Sequence, residues 1–171
     1  NVGRVVPVDV LLDDLWGAAL PSGAQHALEV HASKLRTALG PDVALVARSP
    51  GYVLDVEPRS VDVVLFEHLL ADARDAQSTS PERAAARAAN ALALWRGPAL
   101  VNFRYEQFAQ PWIERLEDLR LEALEERFEA ELGLGRAAEL VPELEAAVAE
   151  HPLRERLAGR LMLALYRCGR T

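Results

Sequence analysis

SGAQHALEVHASKLRTALGP, residues 22–41, is the stretch on which the fold turns. Leu28, Ala32, Leu35 and Leu39 recur at steps of 4, 3 and 4, which stack into one apolar face on a helix. Ser22 is placed to cap the free N–H groups at the start of this helix, and Gly40-Pro41 stops it. At about 100° per residue, His26, Val30, Ser33 and Thr37 point away from the apolar face, with Lys34 and Glu29 on its flanks. An outward β-branched Val30 is poorly explained by the helix's own core, which suggests an outside partner for that face.

Upstream, Val5-Val6-Pro7-Val8 leads into a short helical pattern whose apolar face is Leu11, Leu12, Leu15 and Trp16, ended by Gly17. The connection Gly17 to Gly23 joins the two helices. Downstream, Val43 to Ala47 and Tyr52 to Val56 are rich in strand formers, and Arg48-Ser49-Pro50-Gly51 between them carries a Pro-Gly turn signal. These runs predict a β-hairpin. The polar break Glu57-Pro58-Arg59-Ser60 marks a domain boundary, which gives domains at 1–57 and 61–171.

Everything after residue 60 has helical periodicity. One helix is expected from Asp62 to Ala76, and a second from Pro81, a favoured first-turn residue, to near Arg96-Gly97-Pro98. A loop bearing Phe103, Tyr105 and Phe108 precedes the longest helix, Pro111 to Leu132. That helix has two apolar stripes, one through Trp112, Leu116, Leu119 and Ala123, the other through Leu121, Leu124, Phe128 and Leu132. Burial along two stripes puts it in the middle of a helical array. Its many carboxylates, Glu114 to Glu131, alternate with Arg115, Arg120 and Arg127 and are expected on a solvated face. Two further helices, Ala137 to Ala149 and Leu153 to Tyr166, lie between Gly135-Arg136 and Gly169-Arg170. That recurrence at 34 residues is the tetratricopeptide period. The fold class is therefore mainly α: a partial winged helix-turn-helix with a β-hairpin wing, then an all-α, tetratricopeptide-like helical domain.

Composition excludes several function classes. The net charge is −7, which argues against a protein that coats nucleic acid without sequence preference. Residues 61–171 hold 14 Lys or Arg against 19 Asp or Glu, whereas residues 22–54 carry Lys34, Arg36 and Arg48 against Glu29 and Asp42, with His26 and His31 besides. Only the N-terminal third would tolerate a polyanion. No apolar run is long enough to span a membrane and no export signal is legible. Cys168, the single cysteine, fits a reducing cytoplasm. The four histidines are scattered without metal-ligand pairing, and Gly133-Leu134-Gly135 lacks the rest of a phosphate loop. Neither an enzyme, a cofactor nor a metal site is expected.

A short helix, a connection, a longer helix and a hairpin are the parts of a winged helix-turn-helix, in which the second helix enters the major groove of duplex DNA. There Val30 can contact a thymine methyl, Lys34 can donate to guanine or phosphate, and Arg48 on the wing can reach the adjacent backbone or minor groove.

The same residues carry a family likeness. Ala24 to Arg36 resembles the recognition helix of OmpR-type winged helices, and Val46-Ala47-Arg48-Ser49-Pro50-Gly51-Tyr52-Val53-Leu54 resembles their wing with its Gly-Tyr signature. Ala93-Leu94-Trp95-Arg96-Gly97-Pro98-Ala99-Leu100 and Glu150-His151-Pro152-Leu153-Arg154-Glu155-Arg156-Leu157 resemble the bacterial transcriptional activator domain of the Streptomyces antibiotic regulatory protein family. The resemblance implies an activator that binds repeats in double-stranded promoter DNA, recruits RNA polymerase and switches on secondary-metabolite gene clusters, with the helical domain serving homodimerisation or regulation. It implies base contacts from Val30 and Lys34, phosphate neighbours in His26, His31, Ser33 and Arg36, and Arg48 in the wing. The connection Gly17 to Gly23 would face polymerase. Lys34 stands where the family usually has Arg, which removes a bidentate fork.

The resemblance further implies strands and a helix before Asn1 and further helices after Thr171; a larger regulator with an ATPase module after Thr171 is a separate alternative. Without that preceding segment, Leu11, Leu15, Leu28 and Leu35 are expected to lack cover. From a different class, the alternative is a helical-repeat interaction scaffold whose N-terminal DNA-binding part is vestigial.

Overall fold

The computed structural model describes residues 3–40 and 42–170 and divides into two compact units between Val64 and Leu65. Pro41, half of the expected helix stop, lies outside the described residues.

In the first unit a short strand β1 (Val6–Pro7) leads into α1 (Val8–Trp16), a 3-10 turn at Gly17–Ala19, and α2 (Ala24–Leu39). The hairpin follows as β2 (Ala44–Arg48) and β3 (Gly51–Asp55). The three strands form one antiparallel sheet in the order β1-β3-β2. Val6 and Pro7, which have no strand periodicity of their own, are recruited by β3, with Val6 opposite Tyr52 and Pro7 opposite Gly51. Gly51 makes this possible. A Cβ there would lie 1.8 Å from the Val6 carbonyl oxygen and 2.7 Å from the Pro7 Cα, so only glycine lets β1 come this close.

Helix α2 starts one residue later than a Ser22 cap would place it. Gly23 occupies the cap position with no side-chain hydrogen bond, and the first turn is closed by backbone bonds from Ala24 N to Pro21 O and Ala27 N to Gly23 O. The core of the unit is small: Ala24, Leu28, Ala32 and Val53. Of the four leucines expected to lack cover, Leu28 is buried at the centre of the α2 stripe and Leu11 is half-buried, whereas Leu15 and Leu35 are exposed.

The second unit consists of helices joined by turns: α3 (Asp62–Ala76, which begins just before the division), α4 (Pro81–Leu92), α5 (Gln110–Gly133), α6 (Ala137–Glu150) and α7 (Glu155–Arg167). Ser80 caps α4, its hydroxyl oxygen accepting from Arg83 N at 3.4 Å, with Pro81 in the first turn. Helix α4 stops four residues before the expected end, and Trp95 turns edge-on to Phe66, ring centres 5.6 Å apart. The buried face of α4 is Ala84, Ala85, Ala88 and Ala91, small side chains that let it lie close to α5. The remaining face of α5 meets α6 and α7, as its two stripes imply. Phe128, Leu140, Val141, Leu144 and Leu157 fill the core there, and the α6–α7 hairpin closes over them.

The charged stretch of α5 departs from the expected solvated face. Glu125 is wholly buried and Glu126 nearly so, because α7 packs opposite and brings Arg156 within 3.0 Å of one and 3.2 Å of the other. Gln77 donates to the Glu126 carboxylate at 2.9 Å, but neither Glu125 oxygen has a hydrogen-bond partner among the described residues. A buried carboxylate such as Glu125, with one ion pair and no hydrogen bond, contributes little. Arg156 is half exposed and keeps Glu126, so Glu125→Met, of similar volume, is expected to hold or raise stability by about 1 kcal/mol. Urea unfolding of the two proteins measures this directly.

Candidate nucleic-acid interface

The outward face of α2 is set by the stripe that buries Leu28 and Ala32. His26, Val30, Ser33 and Lys34 all lie on the exposed side, Val30 with 38% of its surface open. Thr37 shares this face and donates its hydroxyl to the Ser33 carbonyl at 3.2 Å, a bond local to the helix. Glu29, the one acid on α2, stands 3.8 Å from His26 and sits toward the flank. Along the face, therefore, an apolar contact at Val30 alternates with hydroxyl, imidazole and ammonium donors. That mixture suits base edges and phosphates together.

Two of the seven candidates lie nearer the buried stripe and are engaged by their own fold. Arg36 donates its Nε–H to the Leu45 carbonyl at 2.6 Å, and its guanidinium lies 5.7 Å from the centre of the Tyr52 ring. It links α2 to the hairpin through Nε and the Tyr52 ring, and the residue itself stays exposed. His31 lies against Trp16, ring centres 6.3 Å apart, which ties α2 to α1. Sequence spacing could not separate these roles, since Arg36 and His31 are as polar as their outward neighbours. Their angle from Leu28, about 80° and 60° on opposite sides, was the available signal.

Arg48 is exposed but is not in the turn itself. It is the last paired residue of β2, opposite Gly51, and Ser49-Pro50 alone form the tip, joined by a cis peptide bond. Val8 N donates to the Pro50 carbonyl at 3.1 Å, so the start of α1 holds this end of the hairpin. The structure thus brings His26, Val30, Ser33 and Lys34 onto one helix face, carries Arg48 on the wing, and uses Arg36 and His31 as fasteners between elements.

Comparison with known proteins agrees with this architecture. Residues 61–171 match the bacterial transcriptional activator domain. The chain is 39% identical to the regulatory protein DnrI of Streptomyces peucetius, an alignment covering all of this chain and 67% of that protein. It is 35% identical to the transcriptional regulator RedD of Streptomyces coelicolor, over 99% of this chain and 51% of the relative. Among solved structures, Mycobacterium tuberculosis EmbR in complex with a low affinity phosphopeptide superposes with a TM-score of 0.94 at 36% identity, covering 99% of this chain and 46% of that one. The chain thus spans about half to two-thirds of the length of these relatives. Among the described residues no helix is long and apolar enough to cross a membrane. With a helix-turn-helix and wing in one unit and the activator-domain match covering the other, the chain belongs to the Streptomyces antibiotic regulatory protein family of bacterial transcriptional regulators.

Proposed function

We propose that this chain belongs to a sequence-specific DNA-binding activator that reads promoter repeats with α2 in the major groove and the hairpin as a wing. The observation that carries this reading is the α2 face itself. His26, Val30, Ser33 and Lys34 are exposed together on one side of a helix whose other side is spent on the core. Val30 and Lys34 make the base contacts, His26 and Ser33 lie beside phosphates, and Arg48 grips the backbone flanking the site. His31 and Arg36 chiefly hold the helix at its angle. The connection Gly17 to Gly23, with Leu20 exposed, faces RNA polymerase, and the helical unit joins two copies on successive repeats. The regulated genes are those of a secondary-metabolite cluster, as the family resemblance implies.

The test is duplex binding by the chain against a selected site and a scrambled one, across a salt series. Lys34→Ala is expected to weaken specific binding about ten-fold and to narrow the gap between the two duplexes, since a base contact is worth about 1–3 kcal/mol. Arg48→Ala is expected to weaken both duplexes alike and to lower the salt slope by roughly one unit, the signature of a lost phosphate contact. Equal affinity for specific and scrambled duplexes at physiological salt would leave the scaffold alternative standing instead.

A further inference from the structure

The helical unit carries a feature that the DNA-binding reading does not use. The end of α3, the start of α4, the C-terminal half of α5 and one face of α7 enclose an open groove of about 610 Å³. Its α7 wall is Arg156, Gly159, Arg160, Leu163 and Arg167, a single helical stripe. Arg156 and Arg167 mark its two ends, eleven residues and therefore about 16 Å apart along the helix axis. Between them the lining is mixed, with Pro81, Ala130, Leu132 and Leu163 beside Gln77, Glu129 and Arg160.

Three details point to an occupant. Arg160, only 9% exposed, gives one guanidinium nitrogen to Glu129 at 2.5 Å and another to the Arg156 carbonyl at 3.1 Å, but its buried Nε–H meets no acceptor among the described residues. A buried donor left unmatched calls for an oxygen brought from outside. Glu129, whose side chain is 56% exposed, stands 2.5 Å from Arg160 and 3.9 Å from Arg156, in the place an incoming carboxylate would take. Gly159 lies in the middle of α7, where glycine is disfavoured, yet a Cβ there would meet nothing within 4 Å. No packing demand explains that glycine, and its effect is to keep the groove open.

We propose that this groove binds an extended acidic peptide segment. Its terminal carboxylates sit on Arg156 and Arg167, an oxygen between them accepts from the Arg160 Nε–H, and apolar side chains lie along Leu163 and Leu132. A single small anion cannot span the two ends, whereas about five extended residues at roughly 3.3 Å each do so. Arg156 is held from beneath by Glu125 and Glu126, which fixes its position while half of its surface stays open.

Fluorescence anisotropy with a labelled five-residue peptide, glutamate at both ends and leucine and alanine between, tests this on the 171-residue chain. Saturable binding is expected, about ten-fold weaker or more when both glutamates are glutamine. Gly159→Leu, which fills the groove while improving the helix, is expected to abolish binding with the thermal midpoint unchanged or raised. Glu129→Gln is expected to tighten binding several-fold by removing the internal competitor. The proposal is overturned if the wild-type chain shows no saturable binding, if the glutamine-ended peptide binds equally, or if Gly159→Leu binds as wild type. It is equally overturned if citrate or inorganic phosphate at the peptide's own concentration displaces it fully, which would assign the groove to a small anion.

Discussion

Gly51→Val is expected to unfold the winged unit while the helical unit stays folded. The Cβ of any residue at 51 would collide with backbone atoms, the Val6 carbonyl and the Pro7 Cα, and no side-chain rotation relieves a clash between fixed backbones. Strand β1 must then leave the sheet, and the bond from Val8 N to the Pro50 carbonyl goes with it. The expected loss is about 3 kcal/mol, at the upper end for overpacking. A core that among the described residues consists of Ala24, Leu28, Ala32 and Val53 has little reserve against a loss of that size. Hydrogen exchange read by mass spectrometry should show protection lost across residues 6–55 and kept across 65–170. DNA binding should disappear with it, although residue 51 touches no base in the proposed mode.

Phe128→Ala is expected to destabilise the helical unit by about 3–5 kcal/mol. Phe128 is wholly buried among Leu132, Leu140, Leu144 and Leu157, the cluster that joins α5 to the α6–α7 hairpin. Removing the ring takes away its transfer energy and leaves a cavity that three packed helices cannot all close at once. Urea unfolding followed by far-ultraviolet circular dichroism should show a lower midpoint with a similar slope. A loss under about 1 kcal/mol would mean that α6 and α7 repack freely, contrary to a core of interdigitated leucines.

Most of the helices were legible from spacing alone. The Asp62–Ala76 helix was bounded to the residue, and the α5, α6 and α7 boundaries moved by one or two positions. Here propensity, periodicity and stop residues such as Gly135 act locally and agree with one another. The strand at Val6–Pro7 was not legible, because two residues carry no alternation and pair only where β3 offers an edge. Nor was the burial of Glu125 and Glu126. Each looks like its solvated neighbours until α7 is folded across them with Arg156 at the right height.

At the proposed interface, the division runs through the candidates themselves. The sequence by itself determined which face of residues 24–39 is apolar, and hence that His26, Val30, Ser33 and Lys34 look outward, because a helix turns by the same angle at every residue. Only the tertiary structure decided what the flanking residues do. Arg36 lies on the β2 carbonyl and the Tyr52 ring and His31 against Trp16, since those partners come from elements whose positions no local period encodes. Gly51 stands between the two cases. Its place in a turn-and-wing motif can be read from the chain, but the reason that it must be glycine is a backbone 45 residues earlier, brought within 1.8 Å of where a side chain would begin.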